Sequence, residues 1–514
     1  MGIDAIWFSP FFTSPDFDYG YDVADYRDID PRYGTLQDFD LLLYEAHRRG
    51  IRILLDLVVN HTSHLHPWFV ESRSSRSNPK RQWYIWKDGR GPGNRVPNNW
   101  RNNFFGPAWT FDEETGQYYL HSFLKEQPDL NWDNPEVREA IADVIRFWLD
   151  RGVDGFRLDV PHIYCKDKYF RNNPPFYACE RSKTSVPLSD RLLMSNIMKL
   201  LSLPELQKRK YNQHQPETHE VLKGFRSVFN SYSGITSVGE VITDDPSQLV
   251  SYYGRGNDEL HMNFYFELLH CRWTAGAFKR CVDRWEASLP PEAWPAYAFS
   301  NHDVIRTASR YDRGGKGWKR ARMLVLMLMT FRGSPFIYYG EEIAMKEVRL
   351  PREDLRDPIG VRWFPFHRGR DGCRTPMLWD NGPNGGFSKQ QPWLPVSPEA
   401  DTLNVSAQES DPDSHLNFFK QLIWLRKGLP ALLGGRYESL TEGIPGEIYA
   451  YLRKHEKQNL LIALNFSSRK QEFVLSKSKG IKQLIISTDP DRKEIGRAGS
   501  ITLEPEEGIL VDLN

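Results

Sequence analysis

Three observations on this sequence predict a parallel (β/α) barrel followed by an antiparallel β-sandwich. Strand-length apolar runs alternate with helical patterns through most of the 514 residues, as in a parallel sheet. Four of the runs end in an acidic or polar tip, and the carboxyl ends of strands are where such barrels place their chemistry: residues 51–61 (IRILLDLVVNH), 153–160 (VDGFRLDV), 237–241 (SVGEV) and 296–304 (AYAFSNHDV). Beyond residue 428 the texture changes to short alternating runs punctuated by Gly, Ser, Asn and Lys, as in an antiparallel sandwich.

The elements follow in order. Residues 5–9 read as a strand, residues 36–50 as a helix closed by Gly50, and residues 51–59 as the next strand, a βαβ unit. Residues 135–151 are helical, with Ala140, Ile141, Val144, Ile145 and Trp148 on one face, and feed the strand at 153–160. Further strands are expected near 261–266, 296–300 and 335–339, with a helix at 319–330 between the last two and another at 414–427. In the tail, residues 447–452, 460–466, 472–475 and 509–513 read as sandwich strands. Two long irregular inserts, near 62–118 and 342–408, are expected to wall a substrate pocket, since such loops in a compact protein are usually functional.

The expected division is a barrel at 1–61 and 119–428 that includes the 342–408 insert, a subdomain at 62–118, and a C-terminal β-sandwich at 429–514. Seven barrel strands are counted where closure needs eight, and the chain opens directly before the WFSPFF strand. The first strand and helix are therefore expected to lie upstream.

Lys+Arg and Asp+Glu both number 67, a balance that argues against a dedicated nucleic-acid binder. Aromatic residues make up 13% of the chain, including 16 Trp and 23 Tyr; most serve the core, and exposed faces suit stacking on sugar rings. Five scattered cysteines, Cys165, Cys179, Cys271, Cys281 and Cys373, lack the spacing of a zinc site or disulfide framework. With no bilayer-length apolar run and no signal pattern, a soluble cytoplasmic protein is expected, with no membrane partner.

Three strand-end acids, Asp159, Glu240 and Asp303, supply what glycosidic cleavage needs: one carboxyl to protonate the leaving group and one to attack or to support a water. Arg157, two residues before Asp159, points to the same side of the strand and is expected to keep that acid ionised, as suits a nucleophile. Glu240 follows apolar Val238 and Gly239, where desolvation is expected to keep it protonated as an acid. His61 and His302 are placed to hydrogen-bond sugar hydroxyls. Asp56, Asn60 and His61 also invite a metal reading, but alternate residues of a strand share a side, so no metal is expected.

DLVVNH (56–61), GFRLDV (155–160), GEV (239–241) and SNHD (300–303) resemble the four signature regions of the α-amylase family of retaining glycoside hydrolases (glycoside hydrolase family 13). DYGYDVADY (18–26), NHTSHLHPWF (60–69), YYLHSFLKEQPDLNW (118–132) and CRTPMLWD (373–380) resemble its oligo-1,6-glucosidase and α-glucosidase branch. The resemblance implies a (β/α)8 TIM barrel with a subdomain after the third strand and a C-terminal β-sandwich. It implies an exo-acting α-glucosidase on short oligosaccharides or disaccharides, with Asp159 as nucleophile, Glu240 as general acid/base and Asp303 as transition-state stabiliser. Asp18, Tyr21, His61, Arg157, His302 and Arg374 would hold the terminal glucose, and Phe123 and Gln127 would line its pocket. Val160 resembles members that prefer α-1,6 links, whereas GEV and RDGCRTPM look more like broader α-glucosidases with transfer ability. The calcium or magnesium loop of many members would lie upstream of Met1, so no cofactor is expected. Two alternatives stand beside this reading: a sucrose or maltose isomerase or transglucosylase on the same acids, and a non-catalytic relative or inactive fragment.

Overall fold

The computed structural model describes residues 1–104, 106–174, 207–475, 480–495 and 500–513, so Cys179 lies outside the described residues. These fall into two compact units.

The first unit comprises residues 4–242 and 251–263 and is built on a five-stranded parallel sheet. In chain order its strands are β1 (Ala5–Phe8), β2 (Arg52–Leu57), β3 (Gly155–Leu158), β4 (Thr236–Gly239) and β5 (Met262–Asn263), and they lie side by side in that same order. Helix α1 (Leu36–Arg48) connects β1 to β2, α2 (Pro135–Asp150) leads into β3, and α3 (Glu217–Asn230) leads into β4.

Local chemistry sets these helix ends. Thr35 and Asp38 form a reciprocal capping box at the start of α1. Asn134 caps α2 ahead of Pro135, which loses nothing at a position whose N–H has no intrahelical partner. The buried face of α2 carries Val137, Ile141, Val144, Ile145 and Trp148. Ala140, expected on that face, is only half-buried; the buried face is centred on Val137, Ile141, Val144 and Trp148, and Ala140 lies at its edge. Trp148 anchors the core: its ring stacks on Phe12 at 5.1 Å and its Nε1 donates to the Tyr26 carbonyl at 2.8 Å.

The segment after β2 is ordered. Residues Trp86–Lys87, Gln117–Leu120 and Trp109–Asp112 form a small antiparallel sheet, whose middle strand runs to Leu120, two residues past the expected boundary at 118.

The second unit comprises residues 1–3, 243–250 and 264–514. After helix α4 (Ala275–Ser288) come β6 (Ala296–Ala298), α5 (Gly317–Thr330) and β7 (Ser334–Phe336), with β6 and β7 paired in parallel. Helix α5 is buried on nearly every side from Arg320 to Thr330, which explains why its sequence is almost continuously apolar. Helix α6 (His415–Gly428) sends Arg426 to donate to the carbonyls at the end of α5 and just after it: its Nη1 donates to the Met329 carbonyl at 2.8 Å and to the Phe331 carbonyl at 2.9 Å.

The tail is the expected sandwich. Strands β8 (Arg436–Leu440), β9 (Ile448–His455), β10 (Gln458–Asn465), β11 (Ile481–Ser487) and β12 (Gly508–Leu513) form an antiparallel sheet in the order β8-β9-β10-β12-β11. A two-stranded sheet, Gln471–Val474 with Ser500–Leu503, packs Phe473, Ile501 and Leu503 against Ala450, Leu452, Leu461, Ala463, Ile509 and Val511. Each fully buried Leu or Ile in that cluster contributes about 1.5–3 kcal/mol.

Gly155 opens β3 where the backbones of adjacent strands leave no room for a side chain; a Cβ there would lie 2.2 Å from the Thr236 carbonyl oxygen. Gly155→Ala is expected to lower unfolding stability by about 1–3 kcal/mol, read from the urea midpoint at unchanged slope.

Candidate active site

Parallel pairing puts the acid-bearing strand tips of the first unit side by side. Asp56 on β2 is the register partner of Arg157 on β3, so the two side chains emerge from neighbouring positions on one side of the sheet. Beyond the strand ends, the Asp159 N–H donates to the Leu57 carbonyl at 3.2 Å and the Glu240 N–H to Leu158 at 3.0 Å, so the same ladder extends to both acids.

Arg157 is 1% exposed and its guanidinium touches three carboxylates. Nη1 donates to Asp56 Oδ1 and to Asp159 Oδ1, each at 2.7 Å, and Nη2 donates to Glu240 Oε2. The Trp7 ring lies 5.1 Å and the Tyr21 ring 5.8 Å from its Cζ. Burial works against the charge on Arg157, but Asp56, Glu240, Tyr21 and Asp159 outweigh it and hold the group firmly cationic. Glu240, expected among apolar neighbours, is instead in contact with this guanidinium, because Arg157 on the adjacent strand reaches across to it.

Around this centre the structure gathers the other predicted residues of the unit. Tyr21 Oη donates to Asp56 Oδ2 at 3.2 Å. Gln127 Nε2 donates to Asp18 Oδ2 at 3.1 Å and lies 3.1 Å from His61 Nε2. The Phe123 ring is 5.0 Å from the His61 imidazole. Asn60 Nδ2 faces His61 Nδ1 at 3.2 Å, which assigns the ring proton to Nε2, donating to the Tyr21 carbonyl at 2.9 Å. Burial keeps the His61 imidazole below its ordinary range and hence neutral.

Val160, directly after Asp159, is buried with φ 37° and ψ 48°. A β-branched residue in the left-handed region is strained, and such strain gathers at functional sites.

His302, Asp303 and Arg374 belong to the second unit, beyond the carboxyl end of β6. Arg374 Nη2 donates to Asp303 Oδ1 at 3.0 Å and its Nε to the His302 carbonyl at 2.8 Å. His302 Nε2 lies 3.4 Å from Asp303 Oδ2. Burial works against the charge on Arg374, but the Asp303 and Asp357 carboxylates outweigh it and leave the group above its ordinary range.

Sequence reasoning missed several supporting residues. Asp56 was weighed only as a metal ligand, yet it is tied to Arg157 and Tyr21. Among the described residues no cluster of three or more His, Cys, Asp or Glu is arranged to hold a metal ion. Asp22 accepts from the Phe17 and Asp18 N–H groups, each at 3.0 Å, and so shapes the Asp18 turn. Buried Lys166 pairs with Asp129 at 2.9 Å and donates to Asn60 Oδ1 at 3.1 Å, linking the segment after Asp159 to the one before His61. Arg370 also donates to Asp303, at 3.0 Å. Asp22, Asp56, Asp129 and Arg370 lie inside the motif stretches, which is their only signal in the sequence, and Lys166 has none. No described helix is long and apolar enough to cross a membrane.

The chain is similar to several known proteins. The profile of the alpha amylase catalytic domain matches residues 1–435. A probable alpha-glucosidase of Rhizobium meliloti is 44% identical over 91% of this chain and 82% of its own length. An oligo-1,6-glucosidase of Parageobacillus thermoglucosidasius is 37% identical over 96% of this chain and 89% of its own. Among solved structures, an alpha-glucosyl transfer enzyme has a TM-score of 0.90 at 38% identity, covering 100% of this chain and 92% of its own. The isomaltulose synthase of Protaminobacter rubrum has a TM-score of 0.86 at 32% identity, with the same coverage.

Burial, which outweighs Arg157, pushes the Asp56 carboxyl up to about 7, against about 3.9 in the unfolded chain. Between those values the folded state keeps a proton that the unfolded state releases, so stability falls as pH rises through the window. Asp56→Asn removes this titration. Its stability is expected to fall less steeply than the parent's from about pH 4 to pH 7, by up to roughly 1 kcal/mol per pH unit in urea melts.

Proposed function

The chain belongs to the alpha-amylase family of glycoside hydrolases, and from that premise we propose an exo-acting retaining α-glucosidase that cleaves terminal α-glucosidic bonds of short oligosaccharides or disaccharides. The observation that carries the mechanism is the bridging of Asp159 and Glu240 by one guanidinium. Carboxyl groups bridged in this way sit close together, as retaining enzymes require; their acids are about 5–5.5 Å apart, against about 6.5–9.5 Å where a water must fit between them.

In this reading Asp159 attacks the anomeric carbon while Glu240 gives its proton to the departing oxygen, leaving a covalent glucosyl-enzyme. Glu240, now ionised, takes a proton from a water that attacks the same carbon and releases glucose with its α configuration retained. Arg157 keeps Asp159 in its attacking orientation, and Asp303 stabilises the oxocarbenium-like transition state. Asp18, Tyr21, His61, His302 and Arg374 hold the terminal glucose, with Phe123 and Gln127 lining its pocket.

Replacing water by a sugar hydroxyl in the second step turns hydrolysis into transfer or isomerisation. The likeness to an alpha-glucosyl transfer enzyme and to an isomaltulose synthase supports that as the alternative activity. A non-catalytic role is disfavoured because all three acids are present. The free thiols of Cys165, Cys271, Cys281 and Cys373 suit the reducing cytoplasm in which we place the enzyme.

Asp159→Asn is expected to cut turnover of an aryl α-glucoside roughly 10⁴-fold or more with the circular dichroism spectrum unchanged; retained turnover would refute the mechanism. Val160→Thr keeps the branched shape but adds a hydroxyl. It is expected to shift the isomaltose-to-maltose kcat/KM ratio toward maltose by roughly tenfold or less, and an unchanged ratio removes Val160 as the determinant of linkage.

A further inference from the structure

We propose that Asp357 and Arg370 are positioning residues: Asp357 fixes the Arg370 guanidinium in the one orientation from which it donates to Asp303. The inference rests on the reading of Asp303 as transition-state stabiliser and extends it to two residues without an assigned role.

The geometry forms a chain of held groups within one unit. Asp303 Oδ1 accepts from both Arg370 Nη1 and Arg374 Nη2, each at 3.0 Å. On its other side Arg370 is clamped by Asp357, with Nη2 donating to Oδ1 at 2.9 Å, Nε to Oδ2 at 3.1 Å and the backbone N–H to Oδ2 at 2.6 Å. Asp357 is fully buried, and its own backbone N–H donates to Asp371 Oδ2 at 2.8 Å. Asp371, also fully buried, accepts the Arg356 N–H at 2.7 Å as well.

Two glycines make the clamp possible. A Cβ on Gly369, whose φ is +74°, would lie 2.7 Å from Asp357 Oδ2, and a Cβ on Gly360 would lie 2.6 Å from the Arg368 carbonyl oxygen. The side chain of Asp303 remains about a third exposed, whereas the groups behind it are progressively more buried.

This pattern suits a carboxylate that must hold its place as charge develops near it. A guanidinium forked between two carboxylates has little rotational freedom, and preorganised charge acts in the transition state without paying for reorganisation. The Asp357 carboxylate leaves Arg370 one direction in which to present Nη1. A lysine in its place, a compact ammonium on a flexible stem, could not span both acids with the same fork.

The test uses the full chain with Asp357→Asn, Arg370→Lys, Arg370→Ala and the Asp357→Asn/Arg370→Ala double variant. Each is assayed for kcat and KM on an aryl α-glucoside, with active sites counted by a mechanism-based fluoroglucoside. Asp357→Asn and Arg370→Ala are each expected to lower kcat per titrated site roughly 10- to 100-fold while KM moves by less than about threefold. Arg370→Lys should recover part of the loss, and the double variant should be scarcely slower than either single one, because the two residues act as one unit. The proposal is overturned if kcat per titrated site stays at the parental level while only the melting temperature falls, or if the two losses multiply. Asp303→Asn separates the layers: an active Asp303→Asn enzyme defeats the parent reading, whereas an inactive one beside fully active Asp357 and Arg370 variants defeats only the brace.

Discussion

The strand tips of the first unit converge on one guanidinium. Arg157, sealed beneath Trp7 and Tyr21, neutralises carboxylates from three consecutive parallel strands, so the ends of β2, β3 and β4 meet on one guanidinium. Removing one partner of such a group typically costs about 3–5 kcal/mol, since the remaining charges stay buried without compensation. Only arginine has the planar fork to serve three acceptors at once and a charge that survives full burial. Asp56 completes the arrangement from behind, held in turn by the Tyr21 hydroxyl.

The second unit repeats the same logic with different residues. Asp303 is held by Arg374 and Arg370, and Arg370 is backed by buried Asp357 as Arg157 is backed by Asp56. The two backing acids differ in how many donors reach them. Burial raises Asp56 above the usual carboxylate range. Burial also acts on Asp357, but the bonds from Arg370 overcome it and leave that carboxyl below its ordinary value. The polar side chains proposed to carry the chemistry are thus hydrogen-bonded to further buried polar side chains, and the low dielectric of those positions strengthens every satisfied bond.

The loops that bear the remaining site residues are stiffened by the same means. Asp22 collects backbone N–H groups of the Asp18 turn, and the Lys166–Asp129 pair joins segments that hold His61 and Gln127 to the one that follows Asp159. Val160 sits where that last segment turns, in a backbone conformation its branched side chain disfavours. The surrounding bonds must hold it there, which ties a residue proposed to govern linkage to the rigidity of its neighbours.

The sequence by itself determined the parallel strands seen among the described residues, the sandwich of the tail, and the placing of Asp159 and Glu240 directly after strands, with Asp303 in the loop beyond another. Periodicity and turn chemistry are local, and a strand-end acid is visible as soon as the strand is. It also marked Arg157 as the companion of Asp159, because residues two apart on a strand share a side. Only the tertiary structure decided that Arg157 reaches Asp56 and Glu240 as well, that Glu240 is in contact with a cation and not enclosed by apolar strand, and that Asp357 grips Arg370 behind Asp303. Asp56 and Glu240 lie 101 and 83 residues from Arg157 along the chain, and Arg370 lies 67 from Asp303. Hydrogen bonds over such separations follow from strand register and loop closure, which depend on how the whole chain packs and leave no local pattern to read.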